Sequence, residues 1–225
     1  EIDPQYGQAL GLLATSHLFN VHMGWADRVI VGPIAARAAQ AAVRADSEDP
    51  WAHNAMGSIH LFARRFEDAL AEFEQALRLN PNFCLAQGYY GLALAFCGRW
   101  KEGEEAAHRA LRLSPRDPLR AVWYNWMSVA ALVSDDPATA EVMAIRALAA
   151  NPNFRLAELH LGVAYSRLGR SAEAATTLAR FRDNEPSLFS TAALEARTFR
   201  QSSDRAAPLR TRYLQYLREA GVPDR

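Results

Sequence analysis

The side chains here with the most direct claim on metal or redox chemistry are six histidines and two cysteines. His53 and His60 stand seven residues apart, which places both on one helix face. That spacing separates them by about two turns, roughly 10 Å along the axis, whereas zinc ligands must converge on one point at about 2 Å. No cysteine or further histidine completes a set, so both read as packing residues and no metal is expected. His17 and His22 lack ligand spacing, and His108 and His160 are isolated in sequence. Cys84 and Cys97, if one helix carries both, lie about 20 Å apart, well beyond the roughly 7 Å between Cα atoms that a disulfide permits. They are expected to be buried, reduced thiols in a reducing, cytoplasmic compartment.

Two other groups deserve a chemical reading. Glu102, Glu104 and Glu105 are close in sequence, but on a helix such a cluster is ordinarily a solvated face rather than a pair of acid-base catalysts. Trp123, Tyr124 and Trp126 offer rings on which a ligand could stack; helical spacing favours Tyr124 and Met127 as fillers of a seam between helices. Nucleophile motifs, glycine-rich phosphate loops and paired carboxylates are all missing, so no catalytic residue, no cofactor and no enzymatic activity is expected of this chain.

Half of the 225 residues are apolar and 22% are charged, which excludes a disordered chain. Arginines and acids balance to a net charge of zero, and Lys101 is the sole lysine. The basic footprint that nucleic acid requires is therefore lacking in this region. Apolar runs stop short of a membrane span, and the start lacks a signal-peptide pattern. Glu1-Ile2-Asp3-Pro4 reads as the tail of a helix that begins earlier, so the chain is expected to be a piece of a longer protein.

What must position any site is a repeat. Ser47, Pro81, Pro115, Pro152 and Pro186 fall on one row at spacings of 34, 34, 37 and 34, with Pro4 ahead of them. Asn-Pro-Asn-Phe occurs twice after that row begins, ending at Phe83 and Phe154. Proline at these places stops one helix and lets the next begin. Small residues recur five positions earlier, at Ala42, Ala76, Ala110 and Ala147, with Phe181 the exception. Another small row runs Ala35, Ala69, Gly103, Ala140, Ala174, and a third runs Ala14, Gly57, Gly91, Ser128, Gly162. Small side chains let helix axes approach, and the large residues beside them fill the groove. Gly98-Arg99 and Gly169-Arg170 suit the turn inside each unit.

The pattern resembles the tetratricopeptide repeat, most closely over Gly57 to Pro81, Gly91 to Pro115 and Gly162 to Pro186. The resemblance implies an all-α, right-handed superhelical solenoid of antiparallel helix pairs: about five units and a C-terminal capping pair in one domain. The expected boundaries are 1–47, 48–81, 82–115, 116–152 and 153–186 for the units and 187–225 for the cap. Two units depart from the pattern. One carries three extra residues, Pro118-Leu119-Arg120, with Pro137 opening its second helix; in the first, Asn20 to Gly32 is expected to form a long corner containing Gly24-Trp25. The cap reads as Phe189 to Arg200, a polar break at Gln201-Ser202-Ser203-Asp204, and Leu209 to Ala220. The uncovered N-terminal edge predicts a weak homodimer.

In that family the first helices of successive units line a concave groove that holds peptides or partner helices. Carried over position by position, the groove would comprise Trp51, Asn54, Ser58, Leu61 and Phe62; Leu85, Leu92 and Phe96; Val122, Asn125, Val129 and Val133; and Leu159, Val163 and Arg167. This set is largely apolar and lacks the Lys/Arg-plus-Asn combination with which some members clamp a terminal carboxylate. It implies a partner protein or peptide presenting an amphipathic helix, or another domain of the same protein. Asn54, Ser58 and Asn125 are the preferred groove residues, since a polar side chain in a packed seam would need a partner.

Leu113-Ser114-Pro115-Arg116-Asp117-Pro118, the Gly24-Trp25 corner and the closing Ala220-Gly221-Val222-Pro223-Asp224 look like the C-terminal repeat region of bacterial class III adenylate cyclases or of winged-helix transcriptional regulators. That resemblance implies a regulatory, protein-binding part of a bacterial signalling protein. A small-molecule sensor domain, using the corner or the Trp123 cluster, is the other reading.

Overall fold

The computed structural model describes residues 6–22, 26–198 and 207–225. Among the described residues there are twelve α-helices, one 3₁₀ turn and no strand. The helices are α1 (Gly7–His22), α2 (Arg28–Ala45), α3 (Pro50–Phe62), α4 (Phe66–Leu79), α5 (Cys84–Phe96), α6 (Trp100–Leu113), α7 (Arg120–Val133), α8 (Pro137–Ala150), α9 (Arg155–Arg167), α10 (Ser171–Asn184), α11 (Thr191–Thr198) and α12 (Ala207–Glu219). The 3₁₀ turn, Pro186–Leu188, precedes α11. The chain divides into two compact units, Glu1–Leu94 and Ala95–Arg225, with the boundary inside α5. In the first, α1 packs on α2 and α3 on α4; in the second, α7 packs on α8 and α9 on α10.

The small rows explain how closely these helices approach. A Cβ placed on Gly57 would come within 2.7 Å of the Phe73 ring, and one on Gly162 within 2.7 Å of Leu178. Ser128, the fourth member of the row, spends its hydroxyl across the corresponding α7/α8 seam by donating to the Ala140 carbonyl at 2.8 Å. A Gly57→Ala substitution therefore over-packs the α3/α4 seam although alanine is the better helix former. The expected result is a destabilisation of about 1–3 kcal/mol, read as a lowered denaturation midpoint with an unchanged slope.

Between units, the Asn-Pro-Asn sequence makes its own turn. Asn80 Oδ1 accepts from the Asn82 N–H at 3.1 Å and Asn151 Oδ1 from the Asn153 N–H at 3.0 Å, while Asp46 plays the same part for Glu48 at 2.8 Å. Each carboxamide or carboxylate oxygen offers the backbone a partner just where proline prevents the helix from continuing. Within units the turn takes a left-handed residue: Gly98 and Gly169, as their position suggests, but also Arg64 and Asp135 with φ of 64° and 62°. A side chain in that conformation costs roughly 1 kcal/mol, so Asp135 invites the question of what it gains.

Two expectations are corrected. The long corner from Asn20 to Gly32 is not a loop over that whole range, because α1 continues to His22 and α2 begins at Arg28. The extra length goes into helices of 16 and 18 residues, where the next pair has 13 and 14. Asp27 caps α2 by accepting from the Val29 N–H at 2.7 Å. Gly24-Trp25, the starting tetrapeptide Glu1 to Pro4 and the break at Gln201 to Asp204 lie outside the described residues. Second, Cys84 is only half-buried while Cys97 is buried just past the end of α5; both are thiols. The insertion at Pro118-Leu119-Arg120 extends the connection before α7 and sinks Leu119 into the core, with Asp117 Oδ1 accepting from the Leu119 N–H at 2.7 Å.

At the C-terminal end, Phe181 fills with a fully buried ring the row that alanine occupies elsewhere. Its ring lies 6.2 Å from that of Phe189, and α10 is followed by the 3₁₀ turn and the short α11 instead of another full pair. A large side chain takes up the room that a following helix pair would have used.

Candidate functional site

In the first unit the predicted groove residues divide by burial. Trp51, Phe62 and Leu85 are partly exposed, while Asn54, Ser58, Leu61 and Leu92 are buried. Trp51 sits 4.5 Å from Phe83 and Phe62 sits 6.3 Å from Tyr89, ring centroid to ring centroid. The two polar candidates turn inward, not outward. Asn54 is fully buried and donates from Nδ2 to Thr15 Oγ1 at 3.4 Å, and the Ser58 hydroxyl donates back to the Asn54 carbonyl at 2.9 Å within its own helix. Exposed apolar side chains concentrate instead on α1 and α2, at Leu12, Leu13, Val29, Ile30 and Ile34.

In the second unit Phe96, Val122, Asn125, Val129, Val133, Leu159 and Val163 are all buried, and Arg167 is partly so. What buries much of this face is the chain itself. Helix α12 lies against α7 and α9, the first helices of their pairs. Tyr213, Leu214, Tyr216 and Leu217 form one cluster with Val129, Val133, Leu159 and Val163. Their spacing of three and four residues makes an apolar stripe, while Thr211, Gln215 and Arg218 remain on the solvent side.

Polar contacts fix α12 at two levels. Deep in the seam, His160 is 2.7 Å from Asn125 Oδ1 through Nδ1 and 2.9 Å from the Tyr213 hydroxyl through Nε2. A carboxamide oxygen can only accept, so Nδ1 carries the proton; with the ring neutral, Nε2 then accepts and Tyr213 donates. That chain of bonds needs a neutral imidazole, and burial pushes the His160 pKa down to about 3. Nearer the surface, Arg212 donates to the Val133 carbonyl at 2.6 Å, satisfying an acceptor left open where α7 ends. Asp135, in its left-handed turn, accepts from the Tyr216 hydroxyl at 3.0 Å and from Arg167 Nη2 at 2.8 Å. These two donors, Tyr216 first, hold its carboxyl below the usual range. Arg167 also reaches Glu219 at 3.3 Å and stacks 4.2 Å above the Tyr216 ring. Of the predicted groove residues, Asn125 and Arg167 are thus brought together by α12.

The remaining chemistry-bearing groups have structural employment. His53 donates from Nδ1 to Glu72 at 2.7 Å and from Nε2 to the Ser47 carbonyl at 2.8 Å, a pair of bonds that wants an imidazolium; the Glu72 bond, ahead of the other causes, raises its pKa. His60 lies beside Arg65 and Asp68, and burial before all else lowers its pKa. Among the described residues, no group of three or more His, Cys, Asp or Glu side chains is placed to hold a metal ion. Glu102 and Glu105 are exposed, with Glu102 paired to Arg99 at 2.6 Å. Trp123 is buried, and Trp126 packs 4.9 Å from Phe96 and 6.3 Å from Trp100. Tyr213 and His160 were not singled out by sequence because they stand 53 residues apart. The only sequence signal is the apolar stripe of α12, which says that the helix is covered but not by what.

A succession of antiparallel helix pairs with small-residue seams and proline-terminated repeats defines a helical-repeat protein. The chain belongs to the tetratricopeptide-repeat family, whose model matches residues 54–118 and 127–188. It is 30% identical over 137 residues to Superkiller protein 3 of Schizosaccharomyces pombe, a stretch covering 57% of this chain and 10% of that protein. The chain therefore spans about a tenth of that curated relative. Among solved structures it is similar to Pseudomonas aeruginosa PilF (TM-score 0.66, 18% identity, 95% of this chain and 91% of that one). It is also similar to PilW, a type IV pilus biogenesis factor (0.67, 18%, 94% and 91%), and to YrrB, a repeat protein with an unusual peptide-binding site (0.57, 20%, 81% and 90%). At these identities the likeness is one of fold. Among the described residues, no helix is long and apolar enough to cross a membrane.

Proposed function

We propose that this chain is a protein-interaction scaffold that holds an amphipathic helix or peptide of a partner against the first helices of its units. The observation that carries the reading is α12: an amphipathic helix already rests on α7 and α9, so the first-helix face has the width, apolar character and edge polarity that a helix requires. Binding rather than catalysis is what tetratricopeptide folds generally do. In the first unit, Trp51, Phe62 and Leu85 keep part of their apolar surface in reach of a partner. Within a larger protein the natural role is regulatory, in keeping with the signalling proteins whose repeat regions the sequence resembles.

Site-specific photocrosslinking tests this. A benzoylphenylalanine at Phe62 should capture a discrete partner segment with an apolar stripe at helical spacing, and the same probe at Val142 or Ile145, exposed on the second helix α8, should not. Equal capture from α8, or capture from neither, would remove the first-helix face as the binding surface.

A further inference from the structure

Resting on that reading, we propose that α12 is a resident, displaceable ligand of the first-helix face, and that the partner helix competing for this place carries a tyrosine in the position of Tyr213. The seam under α12 has a polar requirement at its centre. It contains a buried imidazole whose Nε2 depends on a hydroxyl donated by the covering helix. A covering helix with phenylalanine or leucine there would strand a buried acceptor, a loss that translates to about fivefold to tenfold in affinity. An end cap needs only an apolar stripe; a hydroxyl-specific contact discriminates between helices.

The edge contacts point the same way. Asp135 occupies a left-handed position that Gly98 and Gly169 fill elsewhere, and what its carboxylate does there is bind Tyr216 of α12 and Arg167 of α9. Here the strained turn places a carboxylate against both α9 and α12. Arg212, Glu219, Asp135 and Arg167 all retain contact with solvent, so water can take over their hydrogen bonds when α12 leaves. His160 and the Val133 carbonyl, both in buried residues, must be satisfied by the incoming helix. A strap holds the C-terminus meanwhile: the Thr191 N–H donates to the Pro223 carbonyl at 2.8 Å and the Thr191 hydroxyl to Asp224 at 2.8 Å. Tethered in this way, α12 competes at a local concentration in the millimolar range.

The experiment uses the full chain and a labelled peptide spanning residues 207–222. The parent chain should bind it weakly, because α12 already occupies the face. A Leu217→Asp chain, checked for helicity by circular dichroism, should bind at least about tenfold more tightly, and a Tyr213→Phe peptide about fivefold to tenfold less well than the parent peptide. Where Leu217→Asp loses its fold, an Arg212→Ala, Tyr216→Phe chain weakens only the edge contacts and serves the same comparison. A folded variant that binds the peptide no better than the parent, or peptides with and without the hydroxyl binding alike, would overturn the proposal. Crosslinking at Phe62 would still report on the scaffold function if α12 proved to be a fixed cap.

Discussion

Replacing Phe181 by alanine, the residue that its row carries in four other units, is expected to destabilise the second unit by about 3–5 kcal/mol. By repeat logic the change is a correction toward the pattern. By packing it is a cavity: the ring is fully buried beside Phe189, and the short elements after α10 leave nothing to move into the gap. The reverse change, Ala147→Phe, meets a helix pair on its far side and should cost about 1–3 kcal/mol by over-packing. Chemical denaturation followed by helicity measures both, and a Phe181→Ala loss below about 1 kcal/mol would mean that the end of the array is loosely packed.

Acidification should loosen the second unit through His160. His160 is neutral in the fold with a pKa near 3, while in the unfolded chain it titrates at its ordinary 6.5. Between those values the unfolded state binds the extra proton, so the stabilisation is complete above pH 6.5 and is lost progressively as the pH falls toward 3. At about 1.4 kcal/mol for each pH unit, the loss between pH 7 and pH 4.5 is about 2–3 kcal/mol. His53 in the first unit has the opposite sign: its raised pKa gives stability that is full below 6.5 and lost as the pH rises through the folded value. Asp135 and Asp224, both held below the usual carboxylate range, contribute stability that is present at neutral pH and is lost only as the pH falls below that range toward their lowered values. A His160→Gln chain keeps a donor and an acceptor but has no proton to gain, so urea midpoints measured from pH 7 to 4.5 should fall steeply for the parent and little for the variant. Parallel slopes would mean that His160 is not sealed beneath α12.

Much of this fold was legible because each signal has a local cause. Proline after asparagine breaks a helix and the asparagine oxygen closes the turn, so units can be counted from residues such as Asn80 and Pro81. Gly57 and Gly162 mark seams because nothing larger fits opposite Phe73 and Leu178. Less legible was anything set by contacts between distant segments. Asn125 and Arg167 were selected as groove residues from family positions, yet periodicity cannot reveal that the chain's own α12 would meet them there. Ser58 and Asn54 were picked for polarity; the Ser58 hydroxyl is met by the backbone of its own helix and the Asn54 Nδ2 by Thr15 of α1, while the buried Asn54 Oδ1 has no partner among the described residues. Arg64 and Asp135 hid two turns because neither is the glycine that a left-handed residue leads one to seek.

The placement of α12 on α7 and α9 is the claim on which the rest depends, and the nitrogen spectrum of His160 tests it most directly. Long-range proton–nitrogen correlation across pH 7.5 to 4.5 should show one neutral imidazole protonated at Nδ1 that does not titrate in this range, and Tyr213→Phe should shift its Nε2 resonance. An imidazole that titrates near 6.5 with averaged nitrogen shifts, unaffected by Tyr213→Phe, would place α12 elsewhere.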